Sequence, residues 1–463
     1  MKRKNKELIK NIGLFTIGSF GSKMLSFFLV PLYTAILSTS EYGTIDLISS
    51  TASLLTPILL LSIFDATLRF GMDPDYKKED VLTTSLAIEI KGSIILLVCI
   101  IFVSAFHLID ISNLYLIFLF VYFVLGATSQ IFNLYLRAKN KASVIAVSGI
   151  LCTFVMCVSN ILLLLVFKLG IVGYMISNTL GVLVQNIYQL VIGKIYVDIK
   201  FFNYSDLSKP MLKYSSPLIA NSVSWWVNNA SDRYIVTLLR GVSENGIYSV
   251  SYKIPTILSM FQSIFYNAWS ISAIAEFDAE DKDGFIGLNY YIYSFISLAA
   301  CSTLLLLNKY LALFLYKGDY FVAWKSVPFL LLGTVFSGIS QFEGSLFAAI
   351  RKTKEVAKTT IIGAIFNTVF NFIFIYFIGA SGAAIATFIG YFVTWLLRTK
   401  YISGYVNMKV DWNAHMISVV TVFAQTIMAT LDIFPLLQGV FFAGLLVLNR
   451  RYFNPLLSKM RNR

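Results

Sequence analysis

Apolar runs of roughly 20 residues, the length that crosses a bilayer as a helix, recur from residue 12 almost to the C-terminus. Few folds are open to such a chain. Inside lipid every backbone N–H and C=O must be satisfied within the structure, which leaves bundled helices or a closed β-barrel. A barrel would read as short segments of alternating polarity, and the sequence has none. Composition agrees: 57% of the 463 residues are hydrophobic and 13% charged, with a mean hydropathy of +0.75, whereas soluble domains carry about a quarter charged residues. The chain is expected to be an all-α polytopic membrane protein.

The runs fall at 12–37, 44–64, 82–106, 113–136, 143–167, 170–192, 214–239, 247–275, 286–308, 326–350, 356–378, 380–397, 415–432 and 434–448, about fourteen transmembrane helices with the last two the shortest. With the N-terminus placed in the cytoplasm, few of the 37 lysines and arginines lie elsewhere. Lys168, Arg240, Lys309, Lys317 and Lys325 fall in external loops, and Lys23, Lys91, Arg233 and Lys253 inside spans. That bias predicts both termini on the cytoplasmic side. It also accounts for most of the net charge of +13, because the excess sits at membrane edges beside anionic lipid heads. No basic groove with interleaved aromatics is present, so no nucleic-acid partner is expected. The basic start MKRKNKELIK leads into a span too long for a signal-peptide core, so no cleavable leader is expected.

Connections are short throughout. The longest, KIYVDIKFFNYSDLSKPMLK, is basic and aromatic, suits the membrane interface, and divides the spans. This gives an N-terminal lobe of six helices (1–192), a cytoplasmic linker (193–213), a second lobe of six (214–404), and two extra helices with a basic tail (405–463). The halves share a motif after their first spans: Ser40-Glu41-x-Gly43 and Ser243-Glu244-x-Gly246. Both copies would face outside, so the repeat is parallel, about an axis along the membrane normal. Two such lobes would leave a cleft between them.

An ionised side chain at mid-bilayer costs about 2.5–3.5 kcal/mol on insertion scales, so charges kept within spans need a partner or a wet cavity. Span seven places Asn221, Trp225, Asn228 and Asp232 on one helical face. That stripe either lines a cleft or makes a helix–helix contact. Arg233 projects about 100° from Asp232, so the two need not pair. Lys23 in the first span and Lys253 in the eighth fall, like Arg233, in the first two spans of a lobe, a placement that suits a cationic cleft for an anion. Carboxylates also occur in spans: Asp46, Asp65, Glu89, Asp232 and Glu343. These are candidates for ion coupling or charge pairing, with H+ or Na+ as the ion, and Asp65 with Arg69 has the spacing of an ordinary helix pair. Asn367 and Asn371 form a polar stripe in span eleven.

The four cysteines lie inside apolar runs and are expected to be small core residues; Cys152 and Cys157 lack the spacing of a metal or redox pair. No P-loop, GxSxG, HExxH or loop-borne carboxylate pair is present. With loops this short, neither an enzyme nor a membrane glycosyltransferase is expected, and no cofactor.

The stretch SSPLIANSVSWWVNNASDRYIVTLLRGVSENGIYSVSYKI (215–254) resembles helices seven and eight of bacterial Wzx-type polysaccharide flippases. The shared pattern is Pro217-Leu218, Trp225, Asp232-Arg233, Gly241, Gly246-Ile247-Tyr248-Ser249 and Lys253. Gly21, Pro31, Ser40-Glu41-Tyr42-Gly43 and LFLYKGDYFVAWKSVPFLLLG (313–333) are similar too. The resemblance implies the multidrug/oligosaccharidyl-lipid/polysaccharide exporter fold: two six-helix lobes in a V, often with two extra C-terminal helices. It implies a flippase of a bacterial cytoplasmic membrane that carries undecaprenyl-pyrophosphate-linked repeat units of an O-antigen, capsule or exopolysaccharide to the outer leaflet. A polysaccharide polymerase and glycosyltransferases would be pathway partners. On this reading Arg233 and Lys253 match the family pattern as pyrophosphate ligands, Lys23 joins them by placement, and Asn228 and Trp225 are further cleft candidates for the pyrophosphate or the sugar. Flippases of peptidoglycan or teichoic-acid precursors and cation-coupled multidrug exporters share the fold and remain alternatives.

Overall fold

The computed structural model describes residues 24–108, 111–200, 207–275, 277–433 and 435–461, all of them in helices and short connections, without a strand. The chain separates into two compact units, Met1–Ala230 and Ser231–Arg463. Among the described residues, seven helices are long and apolar enough to cross a membrane, and up to nine if two bent pairs each count as one span.

The first unit contains α1 (24–28), α2 (Val30–Ile36), α3 (Thr39–Leu59), α4 (Ile63–Gly71), α5 (Lys78–Ala105), α6 (Asn113–Ala138), α7 (Ala142–Asn160, continued as wider turns to Val166), α8 (Gly170–Ile192), α9 (Ser208–Ser215) and the start of α10 (Leu218–Arg240). Polarity in α5 is arranged as lipid demands. Ile90, Ile94, Val98 and Ile101 lie exposed on one face, while Ser85, Glu89 and Gly92 are buried on the other. Without a hydrophobic drive between helices in lipid, small residues and hydrogen bonds decide their packing. Gly181 of α8 lies so close to α7 that a Cβ there would stand 2.9 Å from the Cys152 carbonyl. Gln189 donates to Asn133 (2.9 Å) and Ser148 (2.8 Å), joining α8 to α6 and α7. At one end, Lys139 pairs with Asp198 at 2.6 Å and Lys200 with Asp80 at 2.8 Å, which pins the connection after α8 to α5 and α6. Lys200 is held above the usual lysine range, chiefly by its hydrogen bond to Asp80.

The second unit holds the rest of α10, then α11 (Val242–Ser251), α12 (Lys253–Ala275), α13 (Phe285–Leu315), a 3-10 turn (Gly318–Lys325), α14 (Val327–Ala349), α15 (Thr353–Ile402), α16 (Trp412–Leu431) and α17 (Pro435–Arg461). Helix α15 breaks at Gly379, whose φ of 59° and ψ of −138° suit glycine alone. Its two halves fold back on each other where Gly363 meets Gly390; a Cβ on Gly390 would lie 3.0 Å from the Gly363 carbonyl. The C-terminal helices dock through polar pairs: Ser302 donates to Gln425 at 2.6 Å, Tyr291 donates to Asn449, and Asn449 donates to Ser418 at 3.0 Å. In the loop before α13, buried Asp281 accepts from the backbone N–H of Ile286, Gly287 and Lys409 at 2.8–3.0 Å. The exposed Asp278 carboxyl is held below the usual range by the N–H groups of Lys282 and Glu280.

Several expectations change in detail. The run 44–64 is not one helix: α3 and α4 meet at a bend of 58°. The run 247–275 is split into α11 and α12. Arg69 pairs with Asp73 at 3.2 Å rather than with Asp65, because it stands in the last turn of α4 and Asp73 follows just past the helix end. Cys99 is exposed among the outward apolar residues of α5; only Cys301 is fully buried.

Candidate functional site

Within the second unit, the described helices converge on Asp232. This carboxylate is 2% exposed near the middle of α10. Its Oδ2 accepts from Tyr248 Oη, from Tyr252 Oη at 3.0 Å and from Thr387 Oγ1 at 3.4 Å; its Oδ1 accepts from the Arg233 N–H at 3.0 Å. Tyr248 and Tyr252 are one turn apart and present both hydroxyls to the same oxygen. The network continues along α15: Asn367 Nδ2 donates to Thr387 Oγ1 at 3.4 Å and Asn371 Nδ2 to Asn367 Oδ1 at 3.0 Å. Asn371 is fully buried, and its Oδ1 makes no hydrogen bond among the described residues. The cluster offers a carboxylate, hydroxyls and amide carbonyl oxygens, a donor set suited to a proton or a small hard cation.

Arg233 sits beside this cluster. Its guanidinium lies over the Tyr252 ring, 5.3 Å from the centroid, and its Nη1 is 3.9 Å from Asp232 Oδ1. The adjacent pair therefore does touch, but loosely. The carboxylate is directed at hydroxyl donors, while the arginine side chain keeps 16% of its surface accessible. Lys253 is half-buried at the start of α12. Along α10 the expected stripe grades from exposed Asn221 and Trp225 through half-buried Asn228 to buried Asp232. Trp226, the neighbour of Trp225, donates its Nε1 to the Ser50 carbonyl of α3 at 2.9 Å. Lys23 lies outside the described residues.

Of the other candidate carboxylates, Asp46, Asp65 and Glu89 belong to the first unit and Glu343 to the second. Asp46 and Asp65 are half-buried in α3 and α4. Glu89, 4% exposed, accepts from Thr128 of α6. Glu343 is fully buried in α14 and accepts from Thr399 at 2.6 Å, while the nearby Arg398 donates to Thr359, Thr360 and the Ser340 carbonyl. Tyr252 and Thr387 were not singled out in the sequence, and Tyr248 entered only as part of the family pattern, without a site role. The two tyrosines carried one signal, an i, i+4 spacing like that of Asn367 and Asn371; Thr387 carried none, since only the fold of α15 brings it to α10.

A family model of polysaccharide biosynthesis proteins matches residues 8–270 of the chain. Among solved structures, similarity extends to a multidrug resistance MATE family transporter of the MOP superfamily in an inward-facing conformation. It has a TM-score of 0.67 at 14% identity, covering 84% of this chain and 96% of that one. Lipid II flippase MurJ in an inward closed conformation gives a TM-score of 0.67 at 17% identity, over 96% of this chain and 99% of that one. A MOP superfamily transporter from Pyrococcus furiosus, described as having a binding pocket of reverse polarity, gives 0.60 at 15% identity, over 86% and 96%. Among curated proteins, none matches by sequence. These likenesses establish the expected all-helical fold of the MOP superfamily transporters.

Proposed function

The chain belongs to the polysaccharide biosynthesis protein family, and from that premise we propose that it is a flippase for undecaprenyl-pyrophosphate-linked oligosaccharide repeat units. It moves them by alternating access from the cytoplasmic to the outer leaflet of a bacterial inner membrane, with both termini in the cytoplasm. The observation that carries this reading is Arg233 of α10, whose side chain keeps 16% of its surface accessible beside a carboxylate that accepts from Tyr248, Tyr252 and Thr387. A pyrophosphate brings two or more negative charges into the bilayer, and fixed positive charge must replace its hydration. Guanidinium suits that task through paired N–H donors. Lys253 and Lys23 are assigned the same role, and Trp225 and Asn228 the sugar. Asp232, with Thr387, Asn367 and Asn371, is assigned to the coupling ion, H+ or Na+, whose binding would change the charge beside Arg233.

Arg233→Ala tests the assignment in a bacterium whose surface polymer depends on this protein. Loss of a charge-assisted hydrogen bond is worth about 1.5–3 kcal/mol, a tenfold or greater effect. Surface polymer is expected to fall by at least about tenfold at unchanged protein level, and Arg233→Lys to retain part of it. Wild-type polymer in Arg233→Ala would reduce the arginine to a packing residue.

A further inference from the structure

A second polar centre lies in the first unit, where α3 gives way to α4. Pro57 stands in the last turn of α3, and beyond it Leu61 and Ser62, neither of them glycine, both adopt left-handed backbone angles, with φ of 52° and 51°. Each such residue costs about 1–3 kcal/mol and persists only where the surroundings impose it. Backbone hydrogen bonds across the break end on the carbonyls of Thr56, Pro57, Ile58, Leu60 and Ser62, and pass over Leu59 and Leu61. Helix α5 packs against this point. Thr67 and Ser85 hydroxyls meet at 2.7 Å, and a Cβ on Gly92 would stand 2.7 Å from the Leu59 carbonyl oxygen. Glu89 precedes Gly92 by three residues on the same face of α5, Ser93 follows Glu89 by one turn, and Ser62 follows Leu59 by three residues. Ser62 is fully buried, and the hydroxyls of Ser62 and Ser93 make no hydrogen bond among the described residues. Glu89 has one carboxylate oxygen engaged by Thr128 of α6.

We propose that Glu89, Ser62, Ser93 and the Leu59 carbonyl bind a monovalent metal cation of the size of Na+ at the α3–α4 break. The donors are hard oxygens, which select hard cations over transition metals. One carboxylate neutralises one positive charge, whereas a divalent ion would leave excess charge at membrane depth. Lys91, two residues beyond Glu89, stands on the opposite, exposed face of α5. Broken membrane helices offer freed carbonyls to cations in this manner. The bound ion would hold the break in its bent form, and the site requires nothing of the transported lipid.

The test uses the purified full-length chain in detergent, with NaCl exchanged for choline chloride at constant ionic strength. Thermal unfolding gives stability, and its dependence on Na+ concentration gives the apparent affinity. Measurements on the parent and on Asp232→Asn separate this site from the one in the second unit. In both backgrounds Na+ should raise the unfolding temperature saturably, and Glu89→Gln should weaken the apparent affinity by at least about tenfold, the equivalent of 1.4 kcal/mol. Ser93→Ala, which removes a single hydroxyl, should weaken it by a smaller factor and serves if Glu89→Gln does not fold. A response to Na+ no greater than to choline, or an affinity unchanged by both substitutions, would overturn the proposal.

Discussion

Glu41 and Glu244 occupy the same place in the repeated Ser-Glu-x-Gly motif, and the fold uses them differently. Glu41 turns back on its own helix: Ser38 Oγ accepts from the Glu41 N–H at 3.2 Å, and Glu41 Oε2 accepts from the Ser38 N–H at 2.8 Å, a closed capping box. Glu244 instead reaches across the second unit and accepts from the Ala380 N–H at 2.9 Å, capping the helix that restarts after Gly379. The motif was legible in the sequence; the second partner was not, because it lies 136 residues away. Arg69 teaches the same limit, since an aspartate stands four residues to either side and spacing alone cannot choose between Asp65 and Asp73. Losing a capping box costs about 1 kcal/mol, whereas stranding a buried N–H costs about 1–3 kcal/mol. Glu244→Ala should therefore lower the unfolding temperature more than Glu41→Ala. Gly379→Ala, which forces an L side chain into a glycine-only conformation, should lower it at least as far as Glu244→Ala. Equal effects at Glu41 and Glu244 would show that the Ala380 contact contributes nothing.

Most helices could be read from apolar length, and breaks could be read where a residue announced them. The runs 356–378 and 380–397 are separated at Gly379, the residue whose backbone angles make the turn. The α3–α4 break was not read although Pro57 stands in the run, because Leu60-Leu61-Ser62 continues it as apolar sequence, and the close approach of α5 to the Leu59 carbonyl is a tertiary contact. Gly92 makes that contact possible, which separates it from Gly126 of α6, where an added Cβ would meet nothing within 4 Å. In an open helical position alanine gains about 0.5–1 kcal/mol over glycine. Gly126→Ala should thus raise the unfolding temperature slightly, while Gly92→Ala should lower it, because the Leu59 carbonyl is backbone and cannot swing aside. A rise for both would mean that α5 does not press on the break.

Over the molecule as a whole, the recurrence of long apolar runs and the low charge content led to an all-helical membrane protein, and the fold shared with MOP superfamily transporters agrees. Pairings between distant helices were not accessible in the same way. Asp232 with Thr387, Ser302 with Gln425 and Lys309 with Asp432 each join segments more than a hundred residues apart, and nothing local marks one hydroxyl or amide as the partner of another. The family relation ties the chain to polysaccharide biosynthesis, and the phosphorylated lipid carrier proposed above rests on Arg233 of α10. Translocation by the purified protein in liposomes is the most direct measurement: undecaprenyl-pyrophosphate-linked oligosaccharide is placed in one leaflet, and its arrival in the other is followed. The wild-type chain should move it well above the rate of protein-free vesicles, excess inorganic pyrophosphate should compete, and Arg233→Ala should fall to background. Wild-type translocation no faster than empty liposomes, or a rate unaffected by removal of Arg233, would contradict the assignment.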